Sequence, residues 1–113
     1  MYKSFFRVAN SHHGDGLWYN RNGEFTGRIH KEFSFCKNHD LPMPYDESIL
    51  GWLSATDTFE NLLYWFTKED ILKLKVHDYN VVQYKCTMYR EYENHWLIHP
   101  SGIIETITVD IGP

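Results

Sequence analysis

The chain has 113 residues and a formal net charge of −4, and 42% of its residues are hydrophobic and 17% aromatic. This length and composition predict a single domain over residues 1–113 with one hydrophobic core, and they exclude an intrinsically disordered chain. The acidic balance and the absence of a run of Lys or Arg argue against nucleic acid as a partner, because binding it requires neutralising phosphates.

The sequence contains no segment typical of membrane insertion or export. No stretch of about 18 apolar residues is present to span a bilayer, and the start lacks the basic-then-apolar pattern of a signal peptide. We therefore expect a cytoplasmic protein with no membrane partner. Cys36 and Cys86 are expected to be reduced thiols, because small secreted domains usually carry more cysteines, in disulfide pairs.

The first predicted element is a strand from Tyr2 to Ala9. Its side chains alternate between two faces, and Arg7 lies near its end among apolar and aromatic neighbours. A polar, glycine-bearing loop follows over residues 10–16, and a short strand is predicted at 17–19 before a turn at 20–23. Residues 25–35 have apolar positions at helical spacing but also Thr26-Gly27, which is a poor helix interior, so their type stays open.

The best-defined helix signal lies in the middle of the chain. Two prolines keep residues 41–46 extended or turning, and a strand from Ile49 to Ala55 follows. Asp57 is predicted to cap a helix, with Glu60 reaching back to complete a capping box. The residues that recur at helical spacing, and so predict one buried apolar face, are Phe59, Leu62, Leu63 and Phe66.

The rest of the chain reads as one further helix followed by strands. Thr67 is the predicted cap of the second helix, in which Ile71 and Leu74 are expected to be buried. Alternating apolar residues predict three strands, with a turn at 100–102 between the last two. They are Val81–Tyr89, Glu93–His99 and Ile103–Ile111. The predicted fold is α+β, with a mostly antiparallel sheet of about five or six strands and two short central helices.

Three separated stretches, taken in order, resemble the mono-ADP-ribosyltransferase fold of the arginine-serine-glutamate type. The first is Phe5–Val8, which carries Arg7. The second is Leu53–Thr56 with the apolar helix after it, which resembles the Ser-Thr-Ser strand of that family. The third is Tyr92–Pro100, running on to Ile107–Val109, which is similar to the Glu-x-Glu strand and the closing strand after it. The resemblance covers most of the chain loosely and implies an ADP-ribosyltransferase-like fold.

The resemblance also implies a ligand and roles for particular residues. In this family the arginine binds the pyrophosphate of NAD, which suits the donor fork of a guanidinium. The serine positions that arginine and the catalytic glutamate, and the glutamate stabilises positive charge as nicotinamide leaves. By resemblance, Arg7, Ser54 and Thr56 would bind NAD, while Ser54 and either Glu93 or His95 would form the catalytic part. The expected activity is transfer of ADP-ribose from NAD to a protein target.

One position departs from the family pattern. When Leu97-Ile98 and Pro100 are aligned to the family strand, Glu93 takes the first acidic position and His95 falls where the catalytic glutamate belongs. A neutral histidine supplies no negative charge to an oxocarbenium-like centre, and a protonated one opposes it. Either the alignment shifts by two residues so that Glu93 serves, or the chain keeps the fold without the chemistry. Alternation along one strand predicts that Glu91, Glu93 and His95 share a face.

Loss of the chemistry defines an alternative function. The chain would then be a small acidic binding protein, of the kind a phage or other mobile element encodes, that inhibits a host protein or holds a nucleotide. Its small size, its net charge of −4 and His95 favour this interpretation.

A zinc site is the remaining chemical interpretation, and the spacing argues against it. Cys36-x-x-His39 and His95-x-x-x-His99 have the residue types that zinc prefers. The second pair falls in a predicted strand, where four residues at about 3.3 Å each separate the rings by roughly 13 Å. One ion does not reach both rings, so we predict no metal site.

Overall fold

The computed structural model describes residues 1–11, 16–17, 31–36, 51–92 and 95–110. In this part of the chain the protein is α+β, with six strands and two α-helices. In chain order the elements are β1 (Lys3–Asn10), β2 (Leu53–Ala55), α1 (Phe59–Trp65), α2 (Lys68–Lys75), β3 (Tyr79–Cys86), β4 (Tyr89–Tyr92), β5 (His95–Ile98), a 3-10 helix (Pro100–Gly102) and β6 (Ile103–Val109). The predicted class, strand number and two short helices are confirmed at this level.

The strands form two antiparallel sheets of three strands each, where one sheet was expected. The first has the order β1-β3-β6 and the second the order β2-β5-β4. A single antiparallel bridge joins them, because Phe6 and Thr56 exchange two backbone hydrogen bonds of 2.8 Å each. Strands β1, β2 and β5 are therefore neighbours in that order.

The buried side chains form two clusters on opposite faces of the first sheet, rather than the one core expected. Val81 and Val82 follow each other in β3 and are both buried, because β3 has apolar residues on both faces. The cluster on the helix side includes Val8, Leu62, Phe66, Ile71, Leu74, Tyr79 and Val81. The other cluster consists of Phe5, Ala9, Ala55, Val82, Tyr84, Cys86 and Ile98.

Helix α1 begins one residue later than the capping prediction. Thr58, not Asp57, is the N-cap, and its side chain accepts a hydrogen bond from the backbone N–H of Asn61. The Asp57 carboxylate instead accepts a bond from the Asn61 side chain at 2.9 Å. The prediction of an Asp57–Glu60 capping box is therefore wrong. Asp57 and Thr58 are both residue types that cap helices, and the Thr58 hydroxyl is the group that caps α1.

The other helix predictions are confirmed. Thr67 caps α2 in a complete capping box, in which Asp70 reaches back to the Thr67 backbone N–H. Ile71 and Leu74 are fully buried. On α1, Leu62 and Phe66 are buried and the other two residues of the predicted apolar face pack against the same cluster.

Several strand limits differ from the predictions. The second strand begins at Leu53 rather than Ile49, after Gly51 with a φ of +84°. The predicted strand Val81–Tyr89 is two strands, since β3 ends at Cys86 and Tyr89 starts β4. Because β4 and β5 are antiparallel neighbours with Tyr92 opposite His95, alternation does not continue from one to the other.

The remaining predictions of elements fall largely outside the described residues. These are the short strand at 17–19 beyond Leu17, the turn at 20–23, most of the segment 25–35 and the proline segment 41–46. None of the helices in the described ranges is long and apolar enough to cross a membrane.

Candidate functional site

Arg7 lies where the two sheets separate. It follows Phe6, whose backbone pairs with Thr56, and it is only 6% exposed. Its Nε–H donates a hydrogen bond to the backbone carbonyl of Ser54 at 3.2 Å, across 47 positions of sequence. The first two stretches of the resemblance are thus in direct contact, through a guanidinium that links β1 to β2.

Ser54 makes this contact with its main chain. The resemblance assigns the positioning role to the serine hydroxyl, whereas the bond to Arg7 uses the carbonyl oxygen. Ser54 is half-buried and lies in β2 opposite Leu97 of β5. The residue is therefore placed between the arginine strand and the strand that begins with His95.

Thr56 is bound within the chain. It is 5% exposed, and its hydroxyl donates to the backbone carbonyl of Thr58 at 2.8 Å. Its backbone also forms the bridge to Phe6. The Thr56 hydroxyl therefore stabilises the junction between β2 and α1, a common role of hydroxyl side chains before helices.

Ser54, Thr56 and His95 project from the same side of the second sheet. Residues directly opposite each other on neighbouring antiparallel strands share a face, and so do residues two apart on one strand. Ser54 is opposite Leu97, and Leu97 is two residues from His95. We call this side, with Ser54, Thr56, Arg90, His95 and Leu97, the serine face. Arg90 belongs to it because it is also opposite Leu97.

His95 is buried beneath helix α1. It is 8% exposed, and the ring of Trp65 lies 5.6 Å from its ring, centroid to centroid, in an edge-to-face arrangement. The residue at the position of the family's catalytic glutamate therefore packs against an aromatic side chain. Trp65 was not predicted as part of the site, because it lies outside the helical spacing of the apolar face of α1.

The acidic residues of this region are separated by the register. Glu91 lies opposite Trp96, so it projects from the other face of the sheet than His95 does. The expectation that Glu91 and His95 share a face is wrong, because the two residues lie on different strands. Glu93 lies outside the described residues. Among the described residues of the serine face, none carries a carboxylate. Phe6 is opposite Thr56 and so shares this face, and the Arg7 side chain therefore projects from the other face than Ser54 and His95 do.

A second group, consisting of two aromatic rings and one guanidinium, lies at the other end of this sheet. The Arg90 guanidinium lies 5.2 Å from the centre of a Trp52 ring, and the Trp52 and His99 rings are 5.1 Å apart. The His99 Nδ1 is 2.6 Å from the Ser101 hydroxyl and accepts a bond from the Ser101 backbone N–H, which caps the 3-10 helix. No spacing in the sequence indicated these contacts.

The cysteines have no feature of an activated nucleophile. Both are buried thiols that are not joined in a disulfide. Burial raises the pKa of the Cys36 thiol to about 12, and the nearby Asp70 carboxylate also raises it. The Cys36 thiol therefore remains protonated at neutral pH, and the thiolate that would bind a metal or attack a substrate is disfavoured.

The metal prediction concerns residues that are only partly described. Within the described ranges no group of three or more His, Cys, Asp or Glu side chains is placed to hold an ion. His39, one half of the first zinc-like pair, lies outside those ranges. His95 lies in a strand, as the distance argument assumed.

Comparison with protein-family models, with curated proteins and with solved structures gives no match for this chain. The resemblance to ADP-ribosyltransferases therefore depends on the residues of the three stretches and on where the strands place them.

Proposed function

We propose that the chain binds NAD beside the Arg7–Ser54 contact and transfers ADP-ribose to a protein target. The observation that supports this most directly is the 3.2 Å hydrogen bond from the Arg7 Nε–H to the Ser54 carbonyl. It joins the first two stretches of the resemblance, across 47 positions of sequence.

The strand order adds to this support. Strands β1, β2 and β5, which carry the three stretches of the resemblance, are separated by more than 30 residues in each case, yet they are neighbours in the fold. An NAD cleft of the arginine-serine-glutamate type needs such neighbours, because its three residues act on a single ligand.

Arg7 has the chemistry for the pyrophosphate of NAD. A guanidinium has five N–H donors in a rigid fork. The Ser54 carbonyl accepts a hydrogen bond from the Arg7 Nε–H, and this bond restricts the rotation of the guanidinium group. A restrained fork binds a bidentate anion with a smaller loss of side-chain entropy than a mobile one.

Catalysis would require a negative charge beside the departing nicotinamide. Glu91 lies outside the third stretch of the resemblance, and His95 supplies no negative charge. Glu93 is the acidic residue between Tyr92 and Pro100 and, by resemblance, takes this role. The proposal therefore assigns NAD binding to Arg7 and Ser54 and the catalytic carboxylate to Glu93.

A specific observation also favours the second candidate, a binding protein without transferase activity. His95 occupies the position of the family's catalytic glutamate and packs against Trp65. A buried imidazole against an indole suits a structural role as well as a catalytic one. Such a protein would hold a nucleotide, or bind and inhibit a host protein, through its surface.

The test measures NAD binding and NAD cleavage separately. Binding is followed by calorimetry, and cleavage by release of nicotinamide or by labelling of lysate proteins with labelled NAD. We expect Glu93→Gln to abolish cleavage while binding persists, and Glu91→Gln, its matched control, to retain both activities.

Arg7→Lys keeps the positive charge but loses the planar guanidinium, so NAD binding should weaken at least tenfold. Arg90→Lys, the same change at the other arginine in the described residues, should bind NAD like the wild type.

Two results would decide against the transferase. If a nucleotide binds but NAD is not cleaved and no protein is labelled, the second candidate is supported. If NAD does not bind at all, and Arg7→Lys changes only the stability of the protein, both the NAD site and the transferase are refuted.

A further inference from the structure

The two outer strands of the fold differ in how they are protected against pairing. β4 is the outer strand of the second sheet, and it has four residues of which two, Arg90 and Glu91, are charged. Short length and charge are common ways in which proteins protect a sheet edge. β6 is the outer strand of the first sheet and has seven residues with the sequence IIETITV.

β6 lacks these protections along most of its length. It contains no Pro or Lys, and five of its seven residues are exposed. They include Ile104, which is 60% exposed, and Ile107, which is 39% exposed. A long edge strand of β-branched residues presents backbone donors and acceptors that fit another strand.

The only charge on β6 is already paired. The Glu105 carboxylate lies 2.8 Å from the Lys85 ammonium on the neighbouring strand, and this contact raises the pKa of Lys85. Two copies of a chain with a net charge of −4 repel each other over most of their surface. The repulsion between two copies is weakest at a surface whose carboxylates are neutralised. β6 is such a surface, because its Glu105 is paired with Lys85.

We propose that β6 pairs with β6 of a second copy, antiparallel and about a two-fold axis, to form a continuous six-stranded sheet across two molecules. This interaction surface is independent of the NAD site. A two-fold axis near Ile107 places Ile107 opposite its own copy and Thr106 opposite Thr108, and both are favourable cross-strand pairs. The same strand thus supplies both sides of the interface.

The charges disfavour a two-fold axis closer to Glu105 than Ile107. With the axis at Ile107, Glu105 lies opposite Val109 of the second copy. The two Glu105 residues are then four positions apart along the strand, or about 14 Å at ~3.4 Å per residue. That separation exceeds the ~8 Å Debye length at physiological salt, so their repulsion is largely screened. An axis at Glu105 would instead place the two carboxylates opposite each other.

The experiment follows the mass of the full chain by sedimentation velocity from micromolar to millimolar concentration. The wild type is expected to shift from monomer to dimer. Ile107→Lys places two ammonium groups opposite each other and should remain monomeric. Tyr64→Lys introduces a lysine at a 76%-exposed residue of α1 instead, so it should dimerise like the wild type. Circular dichroism and thermal melting establish that each variant is folded.

Hydrogen exchange on the wild type gives a test that needs no variant. Backbone amides of residues 103–109 should exchange at least several-fold more slowly at high protein concentration than at low concentration, while those of β4 should not change. A wild type that stays monomeric at millimolar concentration would overturn the proposal. A strand of a different protein would then be the candidate partner of β6. A dimer that persists in Ile107→Lys would also overturn it, because another surface would then hold the copies together.

Discussion

The close contact between Gly102 and Met88 makes Gly102→Ala a sharp test of the packing at the end of the second sheet. Gly102 is buried and is the last residue of the 3-10 helix, directly before β6. A Cβ built on it would lie 2.6 Å from the Met88 backbone nitrogen and 2.7 Å from the Met88 Cβ. Its N–H donates to the His99 carbonyl and its own carbonyl accepts from the Thr87 N–H, each at 2.9 Å.

The expected cost follows from these contacts. An added methyl group in a packed site costs about 1–3 kcal/mol in free energy of unfolding. The nearest atom is backbone, so Gly102 must move, and this weakens two hydrogen bonds worth about 1 kcal/mol each. We therefore expect Gly102→Ala to lower the free energy of unfolding by about 2–4 kcal/mol. The melting temperature should fall by roughly 10–20 °C for a domain of this size.

Urea denaturation of the full chain, followed by circular dichroism, measures this loss. Gly51→Ala is the matched control, because Gly51 has a φ of +84° and no atom within 4 Å of an added Cβ. Its cost should come from backbone strain alone, about 1 kcal/mol. If Gly102→Ala costs no more than Gly51→Ala, the close approach to Met88 is not a constraint on the fold and the reasoning fails.

Two further predictions concern the helix caps and the buried thiol. Thr58→Ala and Thr67→Ala should each lower the free energy of unfolding by ~1 kcal/mol, and Asp57→Ala by less. Equal losses at Asp57 and Thr58 in urea denaturation would contradict the cap assignment. Cys36 should resist alkylation at pH 8 in the folded protein and react once urea unfolds it. Because its pKa is raised from 9.0 to about 12 in the folded state, stability should be retained below pH 9 and decline above it. A Cys36→Ala variant that shows the same alkaline decline would refute that cause.

The sequence was sufficient for elements whose signals are local. The first strand was predicted at 2–9 and is found at Lys3–Asn10, because alternation over eight residues is a strong signal. The cap at Thr67 was also correct, since it has an acidic residue three positions later and no competing cap beside it. At Asp57 and Thr58 two cap residues are adjacent, and local chemistry alone did not distinguish them.

The strand pair β4–β5 shows where local signals were insufficient. Residues 81–99 contain no Gly or Pro, so two strands were predicted, Val81–Tyr89 and Glu93–His99, and composition did not mark the end of β3 at Cys86 or the separate strand β4. The register then decided the faces, because Tyr92 lies opposite His95 and Glu91 opposite Trp96. As a result Glu91 and His95 project from opposite sides, which a single continuous strand would not allow.

The candidate site was predicted in its residues but not in its contacts. Arg7, Ser54 and His95 were singled out from the sequence, and β1, β2 and β5 place them on neighbouring strands. The bond from Arg7 to the Ser54 carbonyl, and the contact of Trp65 with His95, were not foreseen. Both join residues at least 30 positions apart, and no periodicity along the chain encodes such pairs.

By itself, the sequence determined the α+β class, the first strand and the apolar faces of both helices, because these depend on the spacing of side chains along a few turns or pleats. Only the tertiary structure decided that the strands form two sheets bridged at Phe6 and Thr56, that Arg7 links the two, and that β6 is an outer strand among the described residues. These features depend on which strands pair and in which register. Pairing is set by the packing of the whole chain, since each strand buries its faces against residues that are distant in sequence.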